Sequence, residues 1–153
     1  MTSLRKNVGA MIACLYAAAP TAIVAGSGTD NAEITGVIID RLANGTPLSG
    51  VVVIPFTTTL AAAATLSLAY TVQEGQLANL SDAATLVSAA PAVVATGPGG
   101  GGTVTGQLQV DLNLAPAGRY VRVRLTPNLS AADTDTAVLA AVMVLGGTDR
   151  VPA

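Results

Sequence analysis

From residue 33 onward, apolar and polar side chains alternate with a period of two, and short apolar runs are separated by turn residues. Ile34 to Arg41 (ITGVIIDR) is the first predicted strand. It stops at Ala43-Asn44-Gly45-Thr46-Pro47, where Asn-Gly suits the positive φ angles of a tight turn. Ser49 to Thr57 is the second, and Pro55, which has no amide proton, predicts an edge or a bulge at that end. Ala64 to Glu74 alternates most cleanly: Leu66, Leu68, Tyr70 and Val72 share one face, with Thr65, Ser67, Ala69, Thr71 and Gln73 on the other. Thr103 to Leu112 repeats the device with Val104, Leu108, Val110 and Leu112. In Arg119 to Thr126, Val121, Val123 and Leu125 alternate with Tyr120, Arg122 and Arg124. Thr136 to Leu145 is a continuous apolar run and predicts a central strand buried on both faces. Gln76 to Thr96 fits a helical turn at Leu77, Leu80 and Ala84, or short strands around Pro91; strands are the preferred reading. Gly97-Pro98 and the four glycines that follow form a loop. Six to eight antiparallel strands predict an all-β chain: a β-sandwich of the jelly-roll or Greek-key kind, with an up-and-down barrel as the alternative.

The first 28 residues differ. Arg5 and Lys6 precede an uncharged run from Asn7 to Thr29. A secretory signal would place its cleavage site at Ala17-x-Ala19, but Pro20 would then follow the scissile bond, and Asn7, Gly9 and Tyr16 dilute the apolar stretch. A membrane span fits less well, since Gly9, Pro20 and Gly26 interrupt a segment barely of the ~20 residues required. Leu4, Val8, Met11, Ile12, Leu15 and Ala19 have the spacing of one helical face. With Gly26-Ser27-Gly28 as a joint, the expectation is an arm or docked segment over 1–29 and a β-sandwich domain over 30–153.

Composition narrows the chemistry. Of 153 residues, 10% are charged and 3% aromatic, with one cysteine and no histidine. There is no material for a Ser-His-Asp triad, an imidazole metal site or an intrachain disulfide. The sequence therefore predicts no enzyme, no cofactor and no metal. A net charge of −2 leaves no basic patch for nucleic acid and little repulsion between copies. Cys14, inside the apolar N-terminal stretch, reads as a small buried hydrophobe.

Few residues invite a functional reading. The glycine run lacks the Gly-Lys-Ser/Thr ending and following helix of a phosphate loop. Asp133 and Asp135 lie in a polar turn without the further oxygen ligands a calcium site needs. Arg119, Arg122 and Arg124 form a cationic cluster, and Arg122 and Arg124 share a strand face with Tyr120. That row either meets acidic groups of a partner chain or is a solvated face paired with Asp111, Asp133 or Asp135. The candidate partner-binding residues are thus Leu4, Val8, Met11, Ile12 and Leu15 in the arm, and Tyr120, Arg122 and Arg124 in the body.

Ile39-Asp40-Arg41, Val110-Asp111-Leu112, Ala117-Gly118-Arg119-Tyr120-Val121-Arg122 and the ending Leu145-Gly146-Gly147 … Val151-Pro152-Ala153 resemble the small proteins encoded beside the major capsid gene of tailed bacteriophages. Over roughly residues 33 to 153 the chain resembles capsid cement or decoration proteins with a jelly-roll fold. The resemblance implies a non-enzymatic structural protein on the virion surface that binds the major capsid protein and clamps neighbouring capsomers, as a symmetric oligomer such as a dimer or trimer. It implies neither a nucleic-acid nor a membrane partner. Two other classes fit the strand content: a secreted or surface β-domain such as an adhesin, with a cleaved N-terminal signal, and a virion tail component.

Overall fold

Alternation of side chains obliges each strand to bury one face, and two sheets stacked face to face satisfy that demand. The structure, a computed structural model, describes residues 8–26, 28–131 and 134–147. Leu4 and Asp133 fall outside them. Nine strands occur among the described residues: β1 (Ala13–Val24), β2 (Ile34–Thr35), β3 (Ile39–Asp40), β4 (Ser49–Leu60), β5 (Thr65–Gly75), β6 (Ala84–Thr96), β7 (Gly102–Asn113), β8 (Tyr120–Leu129) and β9 (Thr136–Gly146). One sheet has the order β1-β9-β4-β7; the other has β2-β8-β5-β6, with β3 also paired to β8. The pairings are antiparallel throughout. With β2 and β3 counted as one interrupted strand, this is the eight-strand order of a jelly roll.

The core lies between the sheets. Val52, Ile54 and Phe56 of β4 and Leu139, Ala141, Met143 and Leu145 of β9 meet Leu66, Leu68 and Val72 of β5 and Val121, Val123 and Leu125 of β8. The alternation read from β5 and β8 places these residues inward as expected.

Four expectations need correction. The described part of the N-terminal segment holds no α-helix: after a 3-10 turn at Val8–Ala10 the chain enters β1, which pairs with β9 from Ala13↔Leu145 to Val24↔Thr136. Of the six residues at helical spacing only Leu15 and Ala19 lie in β1, and β1 is itself irregular. Register shifts between Tyr16 and Ala18, and again between Ala18 and Thr21, turn both Ala17 and Ala18 into the core. Leu15 also packs against the chain's own core, so it points away from the outer face. Ile34–Arg41 is not one strand. Gly36 to Ile38 leave the ladder and cross the sandwich edge, where the Val37 N–H donates to the Ala17 carbonyl at 2.8 Å and the Gly36 N–H to Val123 at 2.9 Å. A side chain at Gly36 would lie 2.4 Å from the Ala17 oxygen, so this link between sheets requires glycine.

Pro55 sits in an inner strand, between β7 and β9. The β4–β7 register is continuous through it, whereas the β4–β9 ladder lapses at Ile54 and Pro55 and resumes at Phe56↔Leu139 without slipping. Those two positions are the ones whose bridges need the missing Pro55 donor. Finally, β9 is central but buries only one face. Ala137, Leu139, Ala141, Met143 and Leu145 are inside, while Val138, Ala140, Val142 and Val144 point outward. The ambiguous stretch 76–96 resolves into a turn and the edge strand β6, which runs through Pro91 with three register irregularities.

Candidate functional site

The predicted partner-binding residues that the structure describes fall in two separate groups, one on β8 and one at and before the start of β1. Tyr120, Arg122 and Arg124 stand on the outer face of the β8 sheet, alternating with buried Val121, Val123 and Leu125. Register places Gln73 beside Arg122 and Thr71 beside Arg124. Arg122 donates from Nε and Nη2 to Gln73 Oε1 at 3.2 and 2.8 Å. Arg124 forms an ion pair with Glu33. Arg119 grips Asp40 with two charge-assisted bonds, Nε to Oδ1 at 3.0 Å and Nη2 to Oδ2 at 2.7 Å, and its guanidinium lies 5.0 Å from the centre of the Tyr120 ring. The described partners are Glu33, Gln73 and Asp40, not Asp111 or Asp135. Asp111 is on β7 in the other sheet. Asp135 is buried and accepts the Ala61 N–H at 2.8 Å.

Two carboxylates titrate low as a result of their bonds. The Arg119 hydrogen bond holds Asp40 below the ordinary aspartate value of 3.8. Asp82 is also held below 3.8, chiefly by the Gln76 N–H, which donates to it at 2.7 Å. A carboxyl depressed in the folded state adds stability that is complete above its unfolded pKa and is lost as pH falls through the folded one. Urea midpoints should therefore be level above about pH 5 and decline below about pH 4, and Asp82→Asn should flatten part of that decline. A wild-type midpoint unchanged to about pH 2 would contradict the assignment.

The other outer face belongs to β1, β9, β4 and β7, whose strands carry one charged residue, Asp111. Its rows follow from register: Cys14, Val144, Val51, Asp111; then Tyr16, Val142, Val53, Gln109. Further along lie Ala140, Pro55 and Gln107, then Ala22, Val138, Thr57 and Thr105. Where the ladder lapses at Pro55 there is a dent of about 200 Å³, lined by Pro55, Phe56, Thr57, Val138, Leu139 and Ala140. At the end bearing Asp111, Ile12 lines a second depression with Val51, Asp111 and Val144. Exposed Val8 and Met11 precede Ile12 and β1 in the chain. Of the arm set, Val8, Met11 and Ile12 are accessible, whereas Leu15 is used inside.

A residue that sequence reasoning passed over organises one end of the sandwich. Arg41 is 3% exposed. Its guanidinium donates to the carbonyls of Gly118 and Leu114 at 2.7 Å each, of Pro47 at 2.6 Å, and of Ala117. Burial pushes its pKa down, while the nearby Glu74 carboxylate opposes that shift and itself accepts the Gly118 N–H at 2.5 Å. An opening of about 260 Å³ beside it is lined by Arg41, Leu42, Thr46, Gln76 and Ala117–Arg119. Both terminal nitrogens of Arg41 are already engaged with backbone carbonyls, so Arg41 is a loop anchor. In the sequence it figures only as the end of the first predicted strand and within Ile39-Asp40-Arg41.

Among the described residues no group of three or more His, Cys, Asp or Glu side chains is placed to hold a metal, and no helix is long and apolar enough to cross a membrane.

No family model matches the sequence, and no curated protein matches it. Among solved structures, the chain is similar to a chain in the structure of the Gx strain of infectious bursal disease virus, with 12% identity and a TM-score of 0.48, covering 93% of this chain and 33% of that one. A chain of the Gt strain shows 13% identity and a TM-score of 0.44, over 93% of this chain and 34% of that one. The VP2 subviral particle of the same virus gives 12%, 0.41, and 89% and 33%. The chain spans about a third of the length of each. At TM-scores this low, the likenesses add nothing to the strand order.

Proposed function

We propose that this chain is a structural protein of a virus particle, which binds the outer surface of a tailed-phage head and cements neighbouring capsomers without catalysis. The observation that carries this reading is a rigid jelly-roll frame with two broad and chemically unlike faces. One is nearly uncharged; the other bears the Tyr120, Arg122 and Arg124 row. A cement needs two such surfaces, because it must hold one neighbour while gripping another. Repetition at many equivalent sites makes modest contacts sufficient. In this reading Leu4, Val8, Met11 and Ile12 reach the coat protein from the N-terminal end, and the arginine row meets acidic coat groups.

The test is reconstitution. The full chain, mixed with heads of its source phage stripped of accessory proteins, is expected to saturate at icosahedrally related positions and to raise the temperature at which DNA escapes. Heads that stay bare, or protein found only in tails, would overturn the reading. Removing residues 1–10, which leaves β1 whole, should lower occupancy while the melting temperature of the free protein holds. Unchanged occupancy would sink the role of the N-terminal residues. The competing secreted domain is separated by intact mass, since cleavage after Ala19 would take Ala17 and Ala18 out of the core.

A further inference from the structure

We infer that the outer face of the β1-β9-β4-β7 sheet is a self-association surface, whose occupant is the same face of a second copy of this chain. Its centre is a block of outward β-branched side chains, Val51 and Val53 on β4 facing Val144 and Val142 on β9. Tyr16, 53% exposed, and Val138, 46% exposed, extend it.

Size supports the commitment to a protein partner. Four strands about 4.8 Å apart, each of 11 or 12 residues rising about 3.4 Å, span roughly 700 Å². That is close to the ~800 Å² each partner contributes to a standard interface.

The placement of charge fits a second copy. An isologous contact sets the same patch against itself, so any charge in its middle would meet its like. Here the middle has none. Asp111 sits at a corner, on edge strand β7. When two sheets pack in the aligned manner about a twofold axis, that corner lies over the opposite edge or end and not over its own copy. The opposite sheet does not share this property: Arg122 and Arg124 stand on β8, which lies between other strands of that sheet. The other candidate for self-pairing, the uncharged edge strand β6, is blunted by Pro91 and three register irregularities.

The inference does not depend on what the chain decorates, and it is tested with the purified full-length protein alone. Sedimentation velocity from about 1 to about 100 µM should show a concentration-dependent dimer. Val142→Glu, at the centre of the face, should weaken it by at least about tenfold, whereas Thr126→Glu on the opposite sheet should not. Val138→Lys, at a more exposed position, is the second variant if Val142→Glu fails to melt cooperatively. The wild type supplies its own probe, since Cys14, exposed and not buried as its apolar surroundings in the sequence suggest, lies on the same face at its β1 edge. Its labelling by a thiol reagent should slow as the dimer forms. A monomer at every concentration overturns the inference and leaves the face to another protein. A dimer indifferent to Val142→Glu and Val138→Lys, with Cys14 labelled at a constant rate, overturns it equally.

Discussion

Arg41→Met is expected to lower the unfolding free energy by about 3–4 kcal/mol, among the largest effects of any single change in the chain. The methionine fills the space but donates nothing, so the carbonyls of Pro47, Leu114, Ala117 and Gly118 lose their shared donor together. A hydrogen bond to a charged group contributes about 1.5–3 kcal/mol. The sum of four is not reached, because burying the guanidinium in the wild type already costs part of it. Arg41→Lys should recover less than half of the loss, since an ammonium cannot fork toward four oxygens. Urea denaturation checks this: the midpoint should fall with unchanged slope. A loss below about 1 kcal/mol would mean that water replaces the guanidinium and that the anchor contributes little.

Phe56→Ala is expected to cost about 3–4 kcal/mol. Phe56 is the single phenylalanine of the sequence and is buried against the core. Its ring covers Gly106, its register partner on β7, so closely that a methyl group there would lie 2.7 Å from Cζ. The two positions are therefore coupled. Gly106→Ala should destabilise the wild type by about 1–3 kcal/mol, because the ring must shift. In a Phe56→Leu background it should cost at least about 1 kcal/mol less. Additive effects in the double-mutant cycle would show that the ring moves aside freely.

The parts of the fold written in period two were legible because that period encodes a face. β5 and β8 turn inward the residues their alternation predicts. β1 was not legible: with two extra residues between Tyr16 and Thr21, the period-two alternation that marks the other strands is lost. β9 misled in another way, since hydrophobicity reports that a side chain avoids water and not which surface will cover it. Its second face is apolar yet points outward. Arg41 was invisible for a third reason. Its described acceptors are main-chain carbonyls, which every sequence possesses and none displays. The Arg122–Gln73 and Arg124–Glu33 pairs depend on how strands slide past one another, which spacing along one strand does not reveal.

The pairing of β1 with β9 has a consequence in time. These are the first and last strands among the described residues, separated by about 110 residues, which a ribosome takes roughly 5–20 s to add. Through that interval the apolar β1 has been made and its sheet partner has not. Folding to the finished sandwich cannot proceed strand by strand from the N-terminus, and its rate is set by a closure between distant segments. A nascent chain halted before residue 136 would hold most of the protein's mass with β1 still unpaired, a state to which a chaperone would bind.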